Sequence, residues 1–73
     1  AQGRGVGRAL LDTLCERAHA SGFHAVIARI VTENIASIAL HTACGFEVVG
    51  VEREVGRKRG RWYDVQVMQR LMK

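Results

Sequence analysis

Residues 24–31 read His-Ala-Val-Ile-Ala-Arg-Ile-Val, a nearly continuous apolar run rich in β-branched side chains. A short run of this kind predicts a central strand, covered on both faces and parallel to a neighbour. Covering such a strand takes helices, and one lies on each side of it in the sequence. Before it, Val6, Leu10, Leu11, Leu14, Cys15 and Ala18 fall on one stripe of a helix from Val6 to about Ala20. Ser21-Gly22 ends that helix, with Gly22 at the left-handed position after the cap and Phe23 at the hydrophobic contact beyond it. Arg29 is expected at the strand end, its head reaching water.

After the run, Asn34 is a good N-cap for a second helix carrying Ile35, Ile38, Ala39 and Thr42, and Gly45 stops it so that Phe46 packs back onto the last turn. Phe46 to Val55 reads as a strand, Gly56-Arg57-Lys58-Arg59-Gly60 as a hairpin tip, and Trp62 to Met72 as the returning strand. On that last strand Tyr63, Val65, Val67 and Leu71 line one face, while Asp64, Gln66 and Arg70 belong mostly to the other. The pattern is α/β, in the order helix-strand-helix-strand-strand. A parallel partner for the first strand would lie before Gln2, so the expected sheet is mixed and flanked by helices.

Seventy-three residues allow one small domain, and 48% hydrophobic with 25% charged residues is the balance of a globular protein. The net charge of +4 suits anionic partners without choosing among them. Cys15 and Cys44 lack the spacing of a metal site or a redox pair, so they are expected as buried free thiols in a reducing compartment. No metal ligands stand out. Without an apolar run of ~18 residues or a signal peptide, no membrane partner is expected and the cytoplasm is the expected location.

Two stretches carry candidate chemistry. Gln2-Gly3-Arg4-Gly5-Val6-Gly7-Arg8 opens the first helix with alternating glycines. Missing Cβ atoms, first-turn amides and the helix dipole together make an anion site, with Arg4 and Arg8 adding charge; a glycine-rich helix start without a ligand is the alternative. A Walker loop is excluded, because no Lys-Ser or Lys-Thr pair occurs, and the dinucleotide fingerprint fails where Arg8 and Leu10 replace its third glycine. On the second helix, at about 3.6 residues per turn, Asn34, Ser37 and His41 share a polar face without Lys, Glu or Arg. It faces either a ligand or solvent. Imidazole is suited to proton exchange near neutral pH, whereas His19, near a helix C-terminus, and His24, at a strand start, read as structural.

The spacing Asn34-x-x-Ser37-x-x-x-His41-x-x-x-Gly45-Phe46, following Gln2-x-x-Gly5-x-Gly7, resembles the two cofactor motifs of the GNAT N-acetyltransferases. Val55-Gly56-x-Lys58-x-Gly60-x-Trp62-x-Asp64-Val65 is similar to the phosphinothricin and methionine sulfoximine acetyltransferase branch. The resemblance implies acetyl-CoA as cosubstrate and the primary amine of a small amino-acid-like molecule as acceptor. It implies that amides around Gly3, Arg4, Gly5, Val6, Gly7 and Arg8 hold the pyrophosphate. It also implies that Asn34 contacts the pantetheine arm or acetyl end, that Ser37 assists, and that His41 is an acid, base or positioning group. The amine would attack the thioester directly, with no covalent enzyme intermediate. By the same resemblance, residues 1–73 correspond to the C-terminal, acetyl-CoA-binding half of a GNAT domain. The strand that aligns the acetyl group, a carboxylate base and much of the amine pocket would belong to the other half. The chain alone is then expected to be inactive, and to pair with that N-terminal half or with a second copy as a homodimer.

A competing expectation is a small basic nucleic-acid-binding module. Arg53, Arg57, Lys58, Arg59 and Arg61, five of the eleven Lys and Arg residues, cluster beside Trp62 and Tyr63. Glu52, Glu54 and Asp64 interrupt that charge and no RNP, KH or helix-turn-helix pattern is present, so nucleic acid is not the expected partner.

Overall fold

A computed structural model describes residues 4–72. The elements are α1 (Arg4–Ala20), β1 (Ala25–Val31), α2 (Ile35–Ala43), β2 (Glu47–Lys58) and β3 (Arg61–Leu71), in the expected α/β order. Both helices end in the same device. Gly22 and Gly45 take φ +89° and +90°, a backbone state that costs a side-chain-bearing residue but not glycine. After α1, the amides of Gly22 and Phe23 return to the carbonyls of His19 and Ala18, each at 3.0 Å. After α2, those of Gly45 and Phe46 return to Thr42 and His41 at 3.1 and 3.0 Å. These are Schellman pairs. Their hydrophobic partners differ, for Phe23 is 63% exposed and Phe46 only 3%.

The sheet order is β1-β3-β2. Among the described residues it is antiparallel throughout, not mixed, and β1 lies at its edge, not its centre. The reason is topological. Since β1 and β2 each run opposite to β3, they point the same way, joined by α2, and β3 fills the gap between them. The β-branched run thus belongs to a β-α-β unit, but no two neighbouring strands are parallel.

The hairpin tip is also shorter than its glycines suggest. Pairing continues through Gly56↔Tyr63 and Lys58↔Arg61, leaving Arg59 and Gly60 as a two-residue turn. Their φ values of 54° and 75° are both positive, as a type I′ turn requires for its twist to match the strands. Register shifts between Val48 and Gly50 and between Glu52 and Gly56 bend β2. In the second, Glu54 takes φ 53° and its amide donates to Asp64 Oδ1 at 2.9 Å.

The helices cover one face of the sheet. Cys15 of α1 packs there with Ile30, Phe46, Met68 and Met72, joined by Ile38 and Leu40 of α2. The expected division of β3 holds, because the register puts Val65 and Val67 opposite Val31 and Arg29, on the face away from Met68. That second face is open among the described residues, leaving Ile27 54% exposed, so β1 is covered on one side only. Arg29 stands mid-strand on this face rather than at a strand end, and its guanidinium reaches across β3 to Glu52. No described helix is long and apolar enough to cross a membrane.

Met68 is fully buried at the middle of β3. In the complete protein, Met68→Ala is expected to cost about 2–5 kcal/mol. The half-exposed Val55 supplies the control, with Val55→Ala within about 0.5 kcal/mol of no effect. Denaturant midpoints at equal slope measure both.

Candidate functional site

The polar row on α2 is assembled by its own backbone. Asn34 caps the helix, its Oδ1 accepting the Ser37 amide at 3.1 Å. The Ser37 carbonyl lies 2.7 Å from His41 Nδ1. Asn34, Ser37 and His41 are therefore joined along one face, as their spacing predicts. Asn34 is exposed, and Ser37 and His41 are half-buried. With Oδ1 engaged by the cap, the Asn34 carboxamide has its NH₂ group left to offer a ligand. Ser37 takes part in the row through its backbone on both sides.

The glycine turn lies on the neighbouring helix. Gln2, Gly3 and the Arg4 side chain fall outside the described residues. Since α1 begins at Arg4, helix geometry leaves the amides of Arg4, Gly5 and Val6 without carbonyl partners inside the helix. Gly7 and Arg8 stand four residues after positions 3 and 4, within reach of the regular ladder. The two described glycines differ in surroundings. A Cβ built on Gly5 meets nothing within 4 Å, whereas one on Gly7 lies 3.5 Å from Leu40 Cδ2. Gly5 thus leaves its side open to a ligand, and Gly7 faces α2 at the residue before His41. The free amides and the Asn34-Ser37-His41 row come from adjoining helices.

The other chemical groups lie elsewhere or are occupied. Cys15 and Cys44 are buried and free, as expected. Burial first, and then the Asp12 carboxylate, push the Cys44 thiol up from its ordinary value against the opposing charges of Arg8 and Arg70. A thiol so held is not a thiolate nucleophile. His19 lines a cavity of about 310 Å³ with Cys15, Glu16, Arg70 and Met72, at the far end of α1 from the glycine turn. On the hairpin, the Arg57 and Arg61 guanidiniums each sit 5.2 Å from the ring centroids of Trp62 and Tyr63, and Arg61 also binds Glu33 at 2.5 Å. Those aromatic rings already have partners.

Three groups to which sequence reasoning gave no part in the site also lie against it. Asp64 accepts the strained Glu54 amide through its side chain, and its carbonyl accepts the Thr32 amide at 3.0 Å. Glu33, through Arg61, ties the loop before Asn34 to β3. Phe46 stands against His41, the ring centroids 5.1 Å apart and the planes at 74°. Asp64 and Phe46 sit inside the quoted motifs, which is the one signal that marked them.

The sequence and the fold both resemble those of known proteins. The acetyltransferase (GNAT) domain family matches residues 1–67. The L-methionine sulfoximine/L-methionine sulfone acetyltransferase of Pseudomonas aeruginosa is 48% identical over 68 residues, covering 93% of this chain and 40% of the relative. The structure of YncA from Salmonella typhimurium with its cofactor acetyl-CoA superposes with TM-score 0.92 at 42% identity, over 100% of this chain and 42% of that one. A phosphinothricin acetyltransferase of Sinorhizobium meliloti, in complex with acetyl-CoA, gives 0.88 at 47% identity, over 99% and 39%. The chain thus spans between 34% and 40% of the length of the curated relatives it matches.

The capping role of the Asn34 side chain can be measured by substitution. Asn34→Ala is expected to cost about 1 kcal/mol through loss of the cap, and Asn34→Asp, which keeps an acceptor oxygen, to be nearly neutral. Equilibrium unfolding of the complete protein measures the difference.

Proposed function

The chain belongs to the GNAT acetyltransferase family, and from that premise we propose that it forms the acetyl-CoA-binding part of an N-acetyltransferase. The acceptor is the primary amine of a small amino-acid-like molecule, of the phosphinothricin or methionine sulfoximine kind named in its relatives. The observation that carries the proposal is the meeting of the α1 first turn, open at Gly5, with the Asn34-Ser37-His41 row of α2.

In this reading the turn over Gly3, Arg4, Gly5, Val6, Gly7 and Arg8 receives the pyrophosphate, with amides and the positive end of the α1 dipole meeting its charge. Gly5 contributes by having no side chain where the ligand approaches. Gly7 keeps α1 close to α2, and Arg8, exposed beside the turn, adds a cation. Asn34 donates from its free NH₂ to the pantetheine arm or acetyl end, while Ser37 holds the helix cap and the His41 ring in register. Acetyl-CoA supplies the thioester that the neutral amine attacks directly. His41 gives the proton that the departing sulfur needs.

A site so distributed leaves the amine pocket to residues outside this segment. We therefore assign the 73-residue chain half of a site and no turnover of its own. It works in the cytoplasm, joined to an N-terminal half or to a second copy.

Two measurements test this. Gly5→Val in the complete protein fills the open side of the turn, and acetyl-CoA binding by calorimetry is expected to weaken by roughly tenfold or more with the circular dichroism spectrum unchanged. Native affinity in that variant removes the turn from the site. Sedimentation of the 73-residue chain at low micromolar concentration is expected to show a dimer or larger species, because the open face around Ile27 and the free edge of β1 invite pairing. A monomer with a dispersed NMR spectrum contradicts the need for a partner.

A further inference from the structure

The Gly45-Phe46 pair ends α2, and the function above assigns it nothing. Its geometry bears on His41. Gly45, at φ +90°, reverses the chain so that the Phe46 amide donates to the His41 carbonyl at 3.0 Å. The Phe46 ring thereby returns against the imidazole in a T-shaped contact, centroids 5.1 Å apart and planes at 74°. Phe46 is 3% exposed and packs in the cluster of Ile30 and Met68, so it offers the imidazole a fixed wall. The imidazole also meets the Ser37 carbonyl, 2.7 Å from Nδ1. A carbonyl oxygen has only lone pairs to offer, so Nδ1 carries the proton. Neutral His41 then keeps its lone pair on Nε2.

We infer that Phe46 is a positioning residue for His41: with the Ser37 carbonyl it holds the imidazole so that Nδ1 stays protonated and Nε2 alone exchanges a proton with substrate. This rests on the acetyltransferase role given to His41 above. The exchange balances when the attacking amine is counted: as C–N forms and C–S breaks the amine gives up one proton, and that proton restores the imidazolium. Imidazolium His41 releases the Nε2 proton to the departing thiolate, the S–H bond forms, and both charges disappear. What remains is the neutral Nδ1–H tautomer that Ser37 already favours. A free imidazole has two tautomers to choose from, and here the backbone of α2 and its cap make the choice.

The test is a long-range ¹H–¹⁵N correlation of the His41 ring in the complete protein, with kinetics of acetyl transfer. The unsubstituted protein is expected to show the Nδ1–H tautomer. Phe46→Leu removes the ring, and the two tautomers are then expected to mix, with kcat falling roughly tenfold. The KM for acetyl-CoA is expected to stay unchanged, a split that general destabilisation would not produce. Should Phe46→Leu fail to fold, Phe46→Met, closer in volume, makes the same comparison. An Nε2–H tautomer in the unsubstituted protein overturns the inference, as does an unchanged tautomer in the folded variant. His41→Ala keeps the two levels apart. A loss of roughly 10²-fold in kcat is expected, and full activity in that variant ends the proton-transfer role itself, whatever the tautomer.

Discussion

The two-sided hydrogen-bond ladder of β3 is what the rest of this fold depends on. Both β1 and β2 pair with it, and among the described residues it is the strand bonded along both edges. Met68, at its middle, is the fully buried residue on which the helix layer packs. The strand also reaches into the site. Its Asp64 carbonyl takes the Thr32 amide, and its Arg61 takes Glu33 at 2.5 Å, so the loop that presents Asn34 is fastened at two points. An exposed ion pair contributes under about 1 kcal/mol, so the backbone bond and the core packing do most of the holding.

The polar row on α2 shows how little side-chain machinery such a site needs. Asn34 Oδ1 holds the Ser37 amide, and the Ser37 carbonyl holds the His41 ring, so the helix cap and the imidazole share one intermediary. Helix starts and helix ends supply the rest: free amides at the beginning of α1, a Schellman reversal at the end of α2. Cys44 is buried with its thiol pushed up by that burial, and it offers no thiolate nucleophile. In the function proposed above, such a surface orients a reactive partner and moves a proton.

Much of this was legible in the sequence because it is local. Gly22, Asn34 and Gly45 are residues whose conformational demands are met within a few positions, and they mark the helix ends correctly. The grouping of Asn34, Ser37 and His41 follows from helical period alone. What escaped was decided at a distance. The apolar run in β1 signals a β-α-β unit, but nothing in it says that a later hairpin will fill the gap and leave it at an edge. Nothing in β3 says which of its faces the helices will cover. The valine face at Val65 and Val67 stays open, and the methionine face closes. Glu54 in the left-handed region has no signature at all, because the Asp64 carboxylate ten residues on is what makes that conformation tolerable.

The position of β3 in the chain has a consequence for how the protein is made. Of the three described strands, the one that both others pair with is synthesised after them, so the β1-β3 and β2-β3 ladders cannot form until it emerges. The tight turn at Arg59 and Gly60 lets the hairpin close on a microsecond scale, whereas β1 must wait across α2 and β2 for partners as distant as Leu71. Through that interval the edge of β1 that β3 will pair with stays open on a nascent chain. Chaperone engagement, if it has a preferred target here, has one in residues 25–31.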